Sequence, residues 1–165
     1  MMQSNELTRR EVLVSAGALL SGLVISGARP AMAAAAASSR ASNSSATAAG
    51  PITIGKDMTV NRLGFGAMRV TGDGIWGEPP DVSEAKRVLR LAVELGVDFI
   101  DTADAYGPDV SERLIAEALY PYPKGLVIAT KGGLVRPAKE KWERDGRPAH
   151  LRQACEASLK RLRLE

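Results

Sequence analysis

From Asp81 onward the chain alternates helical stretches with apolar runs too short to be helices, and this alternation restricts the fold more than any other feature. Asp81-Val82-Ser83-Glu84 has the form of a capping box, in which side chains satisfy backbone N–H groups that a helix start leaves without partners. Ala85, Val88, Leu89, Ala92 and Val93 then recur at helical spacing until Gly96 supplies a stop, so the helix has one buried face. Val97-Asp98-Phe99-Ile100 suits a strand covered on both faces, and Asp101 sits at its C-terminal end. A second helix is expected from about Ser111 to Leu119 on Leu114, Ile115 and Ala118. Leu126 to Thr130 repeats the buried-strand pattern and ends at Lys131. A third helix from about Ala149 places Leu151, Ala154, Cys155, Ser158, Leu159 and Leu162 on one side. An order of strand, helix, strand, helix, strand, helix calls for parallel strands joined by helical crossovers. Doubly wound sheets and (β/α)8 barrels both satisfy it.

Ahead of this region, Ile52-Thr53-Ile54 and Met58-Thr59-Val60 alternate around Gly55-Lys56-Asp57, the pattern of a β-hairpin, and Arg62 to Gly66 reads as a further short strand. Residues 34–50 are almost entirely Ala, Ser, Thr, Asn and Gly and read as a flexible linker. Residues 1–33 have the parts of a secretory signal: a short basic region, an apolar stretch from Val12 to Ala28 and a small-residue cleavage pattern at Ala31-Met32-Ala33. Thr8-Arg9-Arg10-Glu11-Val12-Leu13 is similar to the twin-arginine signature, and Ser15, Gly17, Ser21, Gly22 and Ser26 dilute the apolar stretch as that route's signals require. The expected location is therefore outside the cytoplasm, periplasmic or extracellular, with the twin-arginine translocation machinery as a partner. An uncleaved membrane anchor fits less well, because the stretch has too few strongly apolar residues for a ~20-residue spanning helix.

The formal charge of +3 and a pI near 9.2 invite a nucleic-acid reading. Lys and Arg alternate with Asp and Glu rather than forming a stripe, and aromatics make up only 4% of the chain, so neither a phosphate track nor a base-stacking platform is expected. The single cysteine, Cys155, cannot form an internal disulfide and reads as a small helix-core residue. Gly72-x-Gly74-x-x-Gly77 matches a dinucleotide fingerprint by letter, yet Pro79 and Pro80 follow where that fingerprint must open a helix, so a loop over the substrate is expected. His150, the only histidine, falls at a helix start and is expected to be helix-terminal or solvated. No metal site is expected.

The chemistry concentrates at strand ends. Asp101 and Lys131 each end an expected strand and Tyr106 lies in the loop leaving the first, where parallel α/β folds assemble active sites. A buried Asp and Lys facing each other satisfy one another's charge, and the ammonium favours ionisation of a neighbouring phenol. Tyrosine, with an ordinary pKa near 10, needs such help to act as an acid at neutral pH.

Four segments carry a resemblance: Leu63-Gly64-Phe65-Gly66-Ala67-Met68-Arg69, Asp101-Thr102-Ala103-Asp104-Ala105-Tyr106-Gly107, Ile128-Ala129-Thr130-Lys131 and Ser158-Leu159-Lys160-Arg161-Leu162. In order and spacing the chain from about Pro51 to Glu165 resembles the aldo-keto reductase family. The resemblance implies the N-terminal portion of a (β/α)8 TIM barrel preceded by a β-hairpin that closes its bottom. It also implies reduction of a small carbonyl substrate with a nicotinamide cofactor, usually NADPH. Carried over by motif, Tyr106 is the general acid, Lys131 tunes it, and Asp101 holds Lys131. Ala67 and Met68, with Asp101, match positions that approach the nicotinamide. The stretch from Gly72 to Pro80 resembles the branch that includes pyridoxal reductases.

The family's fourth catalytic residue, usually a histidine ending the fourth barrel strand, would lie past Leu162-Arg163-Leu164-Glu165. Residues 51–165 are thus expected to form an incomplete reductase domain that exposes open sheet edges and does not turn over alone. The alternative function is a non-catalytic, exported, cofactor-binding or partner-sensing barrel.

Overall fold

The computed structural model describes residues 45–164, so the expected signal peptide and most of the expected linker lie outside the described residues. A β-hairpin comes first, β1 (Pro51–Ile54) and β2 (Met58–Asn61), paired antiparallel from Pro51↔Asn61 to Ile54↔Met58. Then follow β3 (Phe65–Gly66), α1 (Val82–Glu94), β4 (Phe99–Asp101), α2 (Val110–Leu119) and β5 (Val127–Ala129). A second hairpin, β6 (Leu134–Ala138) and β7 (Lys141–Arg144), precedes α3 (Pro148–Leu162). Strands β3, β4 and β5 form one parallel sheet in that order, with Gly66 opposite Asp101 and Asp101 opposite Ala129. This is the expected parallel order with helical crossovers.

Local chemistry accounts for the boundaries. Asp81 caps α1, its Oδ1 accepting from the Glu84 amide at 2.9 Å. Gly96 then turns the chain back, its amide donating to the Val93 carbonyl at 2.9 Å. The buried faces of α1 (Ala85, Leu89, Ala92) and α2 (Leu114, Ile115, Leu119) enclose Ile100 at the centre of β4, which is fully covered. Burying one such side chain contributes about 1.5–3 kcal/mol. Asn61 ties the first hairpin to the N-terminal end of β4: its amide donates to Asp98 at 2.8 Å and its side chain to the Gly96 carbonyl at 2.7 Å. The hairpin therefore closes the end of the sheet opposite Asp101.

Several expectations need correction. The stretch Arg62 to Gly66 pairs with β4 only at Phe65 and Gly66; Gly64 adjoins Phe99, and Leu63 points out, 55% exposed. The expected linker is folded from Ser45: Ala46–Ala49 form a short 3-10 helix, and Ala46 is buried with its amide donating to the Leu95 carbonyl at 2.7 Å. Cys155 is exposed, not a helix-core residue. On α3 it is Ala154, Ser158 and Leu162 that are buried, while Leu151 and Leu159 are exposed, because α3 packs on α2 along a narrower stripe than the apolar letters describe. The hairpin β6–β7 is an addition to the expected order of elements.

Candidate active site

The row formed by Gly66, Asp101 and Ala129 marks the C-terminal edge of the sheet, so the residues just past it share one surface. Lys131 projects back across this edge. Its Nζ donates to Asp101 Oδ1 at 2.5 Å and to the Thr102 carbonyl at 2.9 Å, and lies 5.3 Å from the centroid of the Tyr106 ring. Asp101, Lys131 and Tyr106 are thus together, as expected. The pair is not buried, however: the Lys131 and Asp101 side chains are 50% and 44% exposed. At that exposure an ion pair contributes at most about 1 kcal/mol to stability, so its consequence is where it holds the ammonium.

Backbone bonds fix the loop that carries Tyr106. The Thr102 amide donates to the Ala129 carbonyl at 2.8 Å and the Asp104 amide to Lys131 at 3.3 Å, so the loop after β4 is sewn to the end of β5. Ala103 and Ala105 are buried beneath it. Gly107 has φ +107, and a Cβ there would stand 2.4 Å from Val110 Cβ, so glycine alone permits this entry into α2. Asp104, beside this turn, has its carboxyl held above the usual range by burial, against the Ala105 amide that favours the charged form.

Behind the edge lies a polar network that the sequence reading missed. Glu112 is fully buried, with Oε1 accepting from Thr130 Oγ1 at 2.5 Å and Oε2 from Arg161 Nε at 2.6 Å. Arg161 also reaches Asp109 at 3.2 Å and Ser158 Oγ at 3.3 Å, which accounts for the polar letters of Ser158-Leu159-Lys160-Arg161-Leu162. Ser111 Oγ donates to the Ala67 carbonyl at 3.1 Å and shares a 2.9 Å hydrogen bond with Thr102 Oγ1. Glu112 and Arg161 stand 49 residues apart on two helices, so no local spacing signals the pairing.

The expected cofactor residues separate. Met68 is half-buried, next to the strand edge, and Asp101 is partly open. Ala67 is fully covered with its carbonyl taken by Ser111, so its side chain offers no surface. The Gly72–Gly77 stretch forms turns and a bridge of Trp76 to Gly107, a loop as expected rather than the start of a helix. His150 lies in the first turn of α3 with Nδ1 3.8 Å from Asp145 Oδ2, while its Nε2 is covered and has no partner among the described residues. The helix-terminal reading holds and the solvated one does not. Among the described residues no cluster of three metal-ligating side chains occurs.

The aldo/keto reductase family model matches residues 62–165. The chain belongs to the aldo/keto reductase family. It is 58% identical over 117 residues to an uncharacterized oxidoreductase of Schizosaccharomyces pombe, an alignment covering 71% of this chain and 38% of that protein. It is 47% identical over 107 residues to pyridoxine 4-dehydrogenase of Escherichia coli, covering 65% of this chain and 37% of that protein. Among solved structures, glycerol dehydrogenase of Gluconobacter oxydans superposes with a TM-score of 0.59 at 37% identity, over 70% of this chain and 36% of that one. The holo form of an aldo-keto reductase from Bacillus halodurans gives 0.58 at 30% identity, over 68% of this chain and 36% of that one. The fold is accordingly the N-terminal portion of an aldo-keto reductase (β/α)8 barrel, with β3, β4 and β5 as adjacent barrel strands, and the chain spans well under half the length of these relatives.

Proposed function

We propose that the complete protein reduces an aldehyde or ketone to an alcohol, with NADPH as cofactor and Tyr106 as the acid that protonates the carbonyl oxygen. The observation that carries this reading is the Lys131 ammonium, bonded to Asp101 and 5.3 Å from the centroid of the Tyr106 ring at the open end of the sheet. A phenol gives up its proton readily only where the phenolate it becomes is stabilised. Lys131 places positive charge over the Tyr106 ring. Asp101 and the Thr102 carbonyl keep the ammonium from swinging into solvent.

The strand ends fit the reactive end of a nicotinamide cofactor: a Cβ at Gly66 would meet nothing, Met68 flanks that opening, and Asp101 borders it. When bound, the cofactor supplies the hydride. The chain's own residues hold the carbonyl oxygen at Tyr106, donate its proton and stabilise the phenolate left behind. A substrate of the pyridoxal type is supported by the Gly72–Pro80 loop and by the Escherichia coli relative, whose name specifies pyridoxine. Because the relatives are much longer, we assign activity to a complete barrel, in which the family resemblance places the fourth catalytic residue at the end of the fourth strand.

The test is oxidation of NADPH by the purified complete protein in the presence of a panel of aldehydes that includes pyridoxal. Carbonyl-dependent oxidation supports the reading. Retention of cofactor with no turnover of any aldehyde would instead favour a non-catalytic barrel. Residues 1–33 are proposed to direct export by the twin-arginine route, on the strength of Arg9-Arg10 and the weakly apolar stretch behind them. A reporter fused after Ala49 should leave the cytoplasm and be retained when Arg9 and Arg10 are both changed to Lys; a reporter that stays inside with the natural sequence removes the proposal.

A further inference from the structure

Three loops leave the C-terminal edge of the sheet, one after each strand, and they meet at one side chain that the chemistry above does not use. Arg136, in β6, is 8% exposed. Among the described residues no carboxylate pairs with it as a salt bridge, an expensive arrangement for a cation unless its donors are satisfied. They are satisfied by carbonyls. Nε donates to Lys141 at 3.1 Å; one terminal nitrogen donates to Ile75 at 2.9 Å and Ala105 at 3.5 Å, the other to Gly74 at 3.2 Å and to Lys139. Five carbonyl oxygens thus match the five N–H groups of a guanidinium. Its flat face lies 3.7 Å from the ring centroid of Trp142 and 5.3 Å from that of Trp76, the only two tryptophans of the chain.

With every donor engaged, Arg136 has none left for an anionic substrate. What it joins is informative: Gly74 and Ile75 belong to the loop after β3, Ala105 adjoins Tyr106, and Lys139 and Lys141 belong to the hairpin after β5. The loop after β3 reaches the same place, because Trp76 bridges to Gly107 and the Gly77 amide donates to the Gly107 carbonyl. We propose that Arg136 is a positioning residue that clamps the Gly72–Gly77 loop and the β6–β7 hairpin over the Tyr106 loop, so that the wall of the carbonyl-binding site is assembled before substrate arrives. Lysine cannot substitute: it donates from one point and has no planar face to stack, so it cannot serve carbonyls on three loops at once.

This inference rests on the proposed carbonyl reduction for its kinetic consequence but not for its structural one, and the experiment reads the two separately. In the complete protein, Arg136→Lys, Arg136→Met and Trp142→Leu are compared with wild type by amide hydrogen exchange and by steady-state kinetics. Expected are exchange faster by roughly tenfold or more in residues 72–77 and 134–144 with the β4 and β5 amides unchanged, and a carbonyl KM raised by about tenfold with kcat within about threefold. Cofactor affinity and the pH profile of kcat stay as in wild type, since Asp101, Tyr106 and Lys131 are untouched. If Arg136→Met unfolds the protein, Arg136→Lys, which keeps the charge, carries the test. Wild-type exchange in both segments of Arg136→Lys overturns the clamp whatever the kinetics. Loosened segments in a protein that reduces no carbonyl leave the clamp standing and sink the proposed reaction.

Discussion

Replacing Glu112 with leucine tests how the structure holds the end of β5. The carboxylate is fully buried, and both oxygens are used, one by Thr130 and one by Arg161. Removing one partner of a buried ion pair costs about 3–5 kcal/mol, chiefly because the other charge is left uncompensated. Arg161 is 21% exposed at its side chain and retains Asp109 at 3.2 Å, which softens that penalty toward about 3 kcal/mol. Glu112→Gln keeps the shape and loses only the charge, for about 1.5–3 kcal/mol. The double change Glu112→Leu with Arg161→Leu removes both charges, so it should cost less than the sum of the single changes by about 2 kcal/mol. Urea unfolding of the complete protein, read from the midpoint at constant slope, measures each value. A cost below about 1 kcal/mol for Glu112→Leu, or strict additivity in the double variant, would refute the reasoning that this buried pair anchors α2, α3 and β5 together.

Other consequences follow from single contacts. Tyr122 donates its hydroxyl to the Leu162 carbonyl at 2.7 Å, and burial pushes its pKa up from 10.0 to about 12. The folded protein therefore holds the phenol proton more firmly than the unfolded chain: the stabilisation is whole below pH 10 and lost as pH rises to about 12, at most roughly 2–3 kcal/mol, and Tyr122→Phe should abolish that alkaline dependence in stability measured against pH. Leu89, fully buried under the sheet, should cost about 2–5 kcal/mol as Leu89→Ala, seen in the same unfolding assay. At Gly72 a Cβ would sit 2.4 Å from the Trp76 carbonyl oxygen and 2.5 Å from that of Glu78, so Gly72→Ala should force the loop open, raising hydrogen exchange at Trp76 and Gly77 while leaving α1 unchanged.

The parts legible in the sequence are those in which one residue's role depends on few neighbours. Asp81 signals a helix start by itself, Ile100 reads as a covered strand, and Asp101 and Lys131 announce themselves by ending apolar runs. The hairpin β6–β7 carries no such signal. Leu134-Val135-Arg136-Pro137-Ala138 contains a proline and a register shift, and what stabilises it is the stacking of Arg136 on two tryptophans far apart in the chain. In a chain of mixed charge Arg136 reads as one more solvated cation. Apolar letters do not say which face of α3 is covered: Ala154, beside Gly132, is buried with Ser158 and Leu162, whereas Cys155 and Leu159 are exposed. The segment from Ser45 reads as linker because Ala46 is too small to signal burial, although the Leu95 carbonyl fixes it.

In the proposed reaction Tyr106, beside the Lys131 ammonium, delivers the proton. The most direct measurement is a single-turnover reaction of the complete protein, preloaded with NADPH and mixed with a reactive aldehyde, for wild type and Tyr106→Phe. Cofactor affinity should stay unchanged and the rate of reduction should fall by roughly two to four orders of magnitude in the variant, the size of a lost general acid. Reduction by Tyr106→Phe at the wild-type rate would contradict it.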